Sequence, residues 1–122
     1  MPSLVLIIED HPPTAKFISD LLANRDIKTL IAADGSTGLV KAQEAQPELI
    51  LLDIMMPGIN GLEVFEQLKN NPKTARIPVI FVSVRYEAEF QKKGKELGAA
   101  DYIVKPFKNE RLIDAVEKTL NN

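Results

Sequence analysis

The 122-residue sequence contains no cysteine, which excludes disulfide bridges and thiolate-bound metal centres. It also lacks a long apolar stretch, since the longest aliphatic runs are of strand length and far short of a bilayer span. A basic excess is missing as well. The 15 Lys and Arg stand against 17 Asp and Glu, a formal charge of -2, which argues against a nucleic-acid-binding surface. Met1-Pro2-Ser3 lead directly into a strand-like run, without the basic region and cleavage site of a secretory leader. Together these absences point to the cytoplasm and to no membrane partner. No repeat, linker or low-complexity segment interrupts the chain. Its length allows a real core but not a second domain, so residues 1–122 are expected to form one compact unit.

What is present is an alternation of short aliphatic runs with helix-like segments, repeated five times, the pattern of βα units and a parallel sheet covered on both faces. The expected strands are Leu4 to Ile8, about Lys28 to Ala32, Leu49 to Leu52, Val79 to Val82 ending at Ser83, and Ala100 to Val104. The second mixes polar with apolar residues, which suits a sheet edge. Helical spacing places Phe17, Ile18, Leu21 and Leu22 on one stripe of the first helix and Leu39, Ala42 and Ala45 on the second, capped by Asp34 and stopped by Pro47. Leu62, Phe65 and Leu68 mark the third helix, and Leu112, Ile113, Val116 and Leu120 the fifth. The fourth, about Tyr86 to Gly98, is the most polar, and Gly94 in its interior weakens it further.

The centre of this pattern is Leu49-Ile50-Leu51-Leu52-Asp53, a doubly buried strand that delivers one carboxylate to its end before the Pro57-Gly58 turn. Ligands of open α/β sheets bind beyond the carboxyl ends of the strands. Glu9 and Asp10 follow the first strand, Asp53 the third, Ser83 ends the fourth, and Lys105 follows the fifth. Taken singly, Asp10 and Asp53 read as turn or cap residues and Lys105 as a solvated lysine. In a parallel sheet all of them converge on one rim. Three clustered carboxylates need a cation, and hard oxygen donors suit Mg²⁺. The neutralised rim can then accept a phosphoryl group, with Asp53 as nucleophile and Lys105 and Ser83 stabilising charge as it transfers. His11, at a helix entrance beside this rim, is read as a surface histidine without an assigned role.

Ile8-Glu9-Asp10, Leu52-Asp53-Ile54-Met55-Met56-Pro57, Gly61, Ser83 and the run from Gly98 to Phe107 occur in one order. As a set they resemble the receiver domain of two-component response regulators over essentially the whole chain. The resemblance implies a flavodoxin-like (βα)5 fold, a doubly wound five-stranded parallel sheet of order 2-1-3-4-5. It implies that Glu9, Asp10 and Asp53, with the backbone carbonyl of Met55, hold Mg²⁺, and that Asp53 is the phosphoacceptor. Ser83 and Lys105 would act on the phosphoryl group, Lys105-Pro106 would be a cis peptide, and Tyr102 would be an aromatic switch residue responding to Ser83.

The function so implied is a signalling switch rather than an enzyme, although one that assists its own phosphorylation and dephosphorylation. The donor would be a sensor histidine kinase or a histidine phosphotransfer protein. The output face would be the fourth helix, fifth strand and fifth helix, acting on a protein target, with the chain a monomer or a weak phosphorylation-dependent dimer. No output domain follows Asn122, so the chain is expected to be a stand-alone receiver, a relay intermediate, or the receiver part of a longer regulator. Two other classes compete. A haloacid-dehalogenase-like phosphatase needs an acid two residues after its nucleophile, where this chain has Met55. A constitutive pseudo-receiver has no use for three clustered carboxylates. One departure from the family pattern is Val84, where Ala or Gly is usual. Its branched side chain, flanked by Met55 and Arg85, is expected to crowd the approach to Asp53 and slow phosphorylation.

Overall fold

The computed structural model describes residues 3–85 and 87–121. The elements alternate as β1 (Ser3–Ile8), α1 (Pro12–Ala23), β2 (Ile27–Ala32), α2 (Gly35–Ala45), β3 (Leu49–Leu52), α3 (Gly61–Asn70), β4 (Val79–Ser83), α4 (Ala88–Glu96), β5 (Asp101–Val104) and α5 (Asn109–Leu120). All strand pairs are parallel, in the order β2-β1-β3-β4-β5. The flavodoxin-like reading therefore holds, with β2 on an edge as its mixed composition indicated.

Alternation along each strand splits the core into two layers, because successive side chains leave opposite faces of a pleated sheet. Val5, Ile7, Leu49, Leu51, Ile80 and Val82 pack against α1 and α5 through Ile18, Leu22, Leu112 and Val116. Leu6, Ile8, Ile50, Leu52, Val79 and Phe81 form the other layer with Ala42 of α2 and Val64, Phe65 and Leu68 of α3. Residues 49 to 52 are buried on both faces.

Local chemistry sets the helix starts. Pro12 and Pro13 occupy the first turn of α1, where their missing N–H groups are no loss. Asp34 accepts the Thr37 N–H at 2.7 Å. Asn60 accepts the Glu63 N–H at 3.1 Å and returns a bond to the Glu63 carboxylate at 2.9 Å. Gln46 closes α2 in the left-handed region, ahead of Pro47.

Three expectations need correction. Phe17 is 47% exposed rather than part of the core stripe, which runs through Ala15, Ile18 and Leu22. Adjacent helical residues lie about 100° apart, so a stripe centred on Ile18 turns Phe17 toward solvent. Gly94 lies where α4 meets the sheet, and a Cβ there would sit 3.2 Å from the Phe81 ring and 3.4 Å from the Tyr102 ring. It serves packing as well as weakening the helix. Finally, α4 is shorter than the expected span from Tyr86 to Gly98, and Tyr86 lies outside the described residues.

Candidate functional site

Strand register brings the polar residues together. Ile8 pairs with Leu52, so Glu9 and Asp53 leave the sheet side by side, and the Asp53 N–H donates to the Ile8 carbonyl at 3.1 Å. Ser83 pairs with Val104, and the Lys105 N–H donates to the Ser83 carbonyl at 2.8 Å. The Lys105-Pro106 bond is cis.

Glu9 and Asp53 are buried, and Asp10 is half-buried. Carboxylate oxygens of these three lie within 4.8 Å of one another. The Lys105 ammonium enters between two of them, 2.5 Å from Glu9 Oε1 and 3.2 Å from Asp53 Oδ2. The remaining oxygens are partly held by backbone: His11 N–H reaches Glu9 Oε2 at 3.2 Å and Met55 N–H reaches Asp53 Oδ1 at 3.1 Å. Asp10 has no side-chain hydrogen bond or ion pair among the described residues.

Burial pushes the Glu9 carboxyl above the usual range and the Asp53 charge adds to this, while the Lys105 ammonium and the His11 N–H offset only part. Burial would by itself lower Lys105, but its contacts with Glu9 and Asp53 outweigh it and hold the ammonium above its ordinary value. Three carboxylates facing one ammonium leave two negative charges in a low-dielectric rim. An oxygen-only donor set with that surplus fits a hard divalent cation.

Ser83 is fully buried and its Oγ accepts the Arg85 N–H at 3.2 Å. Tyr102 donates its phenol to the Arg85 carbonyl at 2.6 Å. Burial raises the phenol above its usual value, and the neighbouring Ser83 hydroxyl offsets part of that. Met55 is 48% and Val84 55% exposed. Val84 lines a shallow depression with Thr14, Phe17, Lys105, Pro106 and Phe107.

A family model for the response regulator receiver domain matches residues 5–117. The chain belongs to that family. Among curated relatives of this receiver, PilH of Pseudomonas aeruginosa is 33% identical over 95% of this chain and 96% of its own length. ArlR of Staphylococcus saprophyticus is 39% identical and PhoB of Escherichia coli 32% identical. The chain spans about half of each of these two, 51% and 52% respectively. Among solved structures, Vibrio cholerae chemotaxis protein CheY4 superposes with a TM-score of 0.90 at 27% identity, covering 98% of this chain and 99% of that one. The receiver domain of Francisella response regulator 1452 gives 0.90 at 28% identity, covering 98% and 97%.

Glu9, Asp10, Asp53 and Lys105 meet at this rim, and Ser83 adjoins it through its carbonyl, which accepts the Lys105 N–H. Gly61 lies under the site, since a Cβ there would be 2.3 Å from the Asp53 carbonyl oxygen and 2.6 Å from Ile54 Cα. His11 contributes its backbone N–H, while its exposed imidazole is 2.7 Å from the Thr14 hydroxyl. Arg85, expected to flank the approach to Asp53, instead places its guanidinium 4.3 Å above the Phe90 ring of α4. No sequence signal marks these backbone contributions, because any residue type carries an N–H or a carbonyl. No described helix is long and apolar enough to cross a membrane.

Proposed function

We propose that residues 1–122 form a single receiver domain, working in the cytoplasm, that takes a phosphoryl group onto Asp53 from a sensor histidine kinase or a histidine phosphotransfer protein. An Asp53 carboxylate oxygen forms the new O–P bond while the donor's N–P bond breaks and its electron pair stays on the histidine nitrogen. The observation that carries this reading is the Lys105 ammonium shared between Glu9 and Asp53 at the strand ends. It leaves Asp53 desolvated, oriented and next to a cation that can stabilise the incoming charge. Mg²⁺ would be held by Glu9, Asp10, Asp53 and the Met55 carbonyl, and supplies the remaining positive charge when bound. Ser83 then moves its hydroxyl toward the phosphoryl oxygens. That move gives up the Arg85 N–H, and Tyr102, which holds the Arg85 carbonyl, transmits the change to α4, β5 and α5. This face would engage a downstream protein.

Met55 stands where a phosphatase of the dehalogenase kind needs an acid, so a covalent adduct on Asp53 is the expected product. The half-length match to ArlR and PhoB supports a second setting, in which this receiver is one part of a longer regulator. The test is incubation with acetyl phosphate and Mg²⁺. Intact mass should show one added phosphate, base-labile and absent in Asp53→Asn. An adduct that survives in that variant would overturn the assignment.

A further inference from the structure

Arg85 occupies an unusual position in the chain of contacts behind the site. Its backbone faces two ways, with the N–H on Ser83 Oγ at 3.2 Å and the carbonyl on the Tyr102 phenol at 2.6 Å. Its side chain leaves the site altogether. The guanidinium stacks 4.3 Å over the Phe90 ring, and Nε lies 3.2 Å from the Glu87 carboxylate. Phe90 belongs to the first turn of α4, a helix whose one fully buried residue is Gly94. The rest of its hold on the sheet comes from half-buried side chains such as Phe90 and Leu97. Arg85 therefore ties the backbone behind Ser83 to the first turn of α4.

We propose that Arg85 and Phe90 form a latch that holds the β4–α4 connection in the resting arrangement. Arg85 is thus a positioning residue for the switch rather than a group that touches the phosphoryl. The physical argument is one of linkage. When Ser83 turns toward a phosphoryl oxygen, the Arg85 peptide loses its acceptor and must shift, and the Tyr102 phenol must find another partner. Stacking on Phe90 opposes that shift, because the planar guanidinium is attracted to the negative face of the ring only while the loop keeps its present course. The latch lowers the fraction of molecules ready to accept the group, and apparent affinity for a phosphoryl analogue falls by the same fraction. Metal affinity is untouched, since neither residue is among the oxygen donors. The latch rests on the proposed role of Asp53 and Ser83, but its structural half can be read without them.

The experiment uses the full chain with Phe90→Leu, Phe90→Tyr and Arg85→Gln. Leucine keeps apolar contact but removes the ring face, and tyrosine restores it. Affinity for beryllofluoride in saturating Mg²⁺ should rise about three- to tenfold in Phe90→Leu and in Arg85→Gln. It should stay at the wild-type value in Phe90→Tyr, with no further gain in the Phe90→Leu/Arg85→Gln double variant. Amide exchange over residues 87–92 should quicken in the same two single variants, with or without beryllofluoride. Unchanged exchange and unchanged affinity in Phe90→Leu would overturn the latch, as would a tyrosine variant that behaves like leucine. Failure of the wild type to bind beryllofluoride at all would count against the phosphoacceptor reading. The exchange data alone would then decide on the latch.

Discussion

Helices α4 and α5 flank the same end of the sheet on opposite faces, yet they are attached by different means. α5 buries Leu112, Ile113, Ala115 and Val116, with Leu112, Ala115 and Val116 in the layer it shares with α1, whereas α4 buries one glycine. Burying a large aliphatic side chain is worth about 1.5–3 kcal/mol, so α5 carries several such contributions and α4 none at full value. What α4 has instead is polar and aromatic: the Arg85 stack, the Tyr102 bond to the loop before it, and close approach of Gly94 to two rings. These are directional contacts that can be exchanged for others at modest cost. A helix held in that way is expected to open at a lower free energy than one held by burial.

The contrast is broken or sharpened most strongly by the same deletion on the two sides. Leu112→Ala removes a completely buried side chain and should lower unfolding stability by about 2–5 kcal/mol. Leu97→Ala, at the half-buried end of α4, should cost roughly half of that or less. Urea unfolding of both variants measures the difference. Equal losses would mean that α4 is as firmly seated as α5, and the mobility argued for it would fall.

A glycine pair gives a smaller effect with a clearer geometric cause. At Gly61 a methyl group would meet the Asp53 carbonyl oxygen and Ile54 Cα, both backbone atoms that cannot turn aside. Gly61→Ala should therefore destabilise by about 1–3 kcal/mol and slow phosphorylation as well, because the strain falls on Asp53 itself. At Gly94 the nearest atoms belong to the Phe81 and Tyr102 rings at 3.2 and 3.4 Å. A small ring tilt there is set against the gain in helix propensity, about 1 kcal/mol, so Gly94→Ala should be close to neutral. Thermal unfolding and acetyl phosphate labelling of both variants read the outcome. A neutral Gly61→Ala would show that the connection after β3 is more yielding than its contacts imply.

The two glycines also show where the sequence is readable and where it is not. Strands were legible because a four-residue aliphatic run such as Leu49–Leu52 has one stable setting, buried on both faces. Once the strands are parallel, with β1 beside β3 and β5 beside β4, Glu9, Asp53 and Lys105 leave the sheet at the same end. The site followed from topology more than from any single motif. Gly61 and Gly94, by contrast, look alike to a propensity scale, and only the atoms opposite them separate a backbone collision from a ring contact. Phe17 was misplaced for a related reason, since it lies about 100° round the helix from Ile18 and falls outside the buried stripe of Ala15, Ile18 and Leu22. The Arg85 contacts were out of reach because a loop peptide serves Ser83 and Tyr102 through atoms that every residue has.

The smallest effect concerns the electrostatic fastening of β5 to α5. Arg111 grips Asp101 with both ends of its guanidinium, Nη1 on Oδ2 at 2.9 Å and Nη2 on Oδ1 at 3.0 Å. The Arg111 bonds hold the Asp101 carboxyl below its usual value, burial opposes them, and the Tyr102 N–H adds to the lowering. A carboxyl depressed on folding contributes stability that is fully present above the ordinary Asp value and is lost as pH falls through the folded one. Both partners are well exposed, at 47% and 35%, so solvent screening keeps the contribution under about 1 kcal/mol. Asp101→Asn should therefore be slightly less stable than the wild type near neutral pH. The gap should close at acid pH, below the ordinary Asp value near 3.8. Urea midpoints at a series of pH values measure it, and added salt should narrow the neutral-pH gap. A gap that persists undiminished in acid would mean that Asp101 acts through neutral hydrogen bonding, and β5 would then be fastened to α5 by shape rather than by charge.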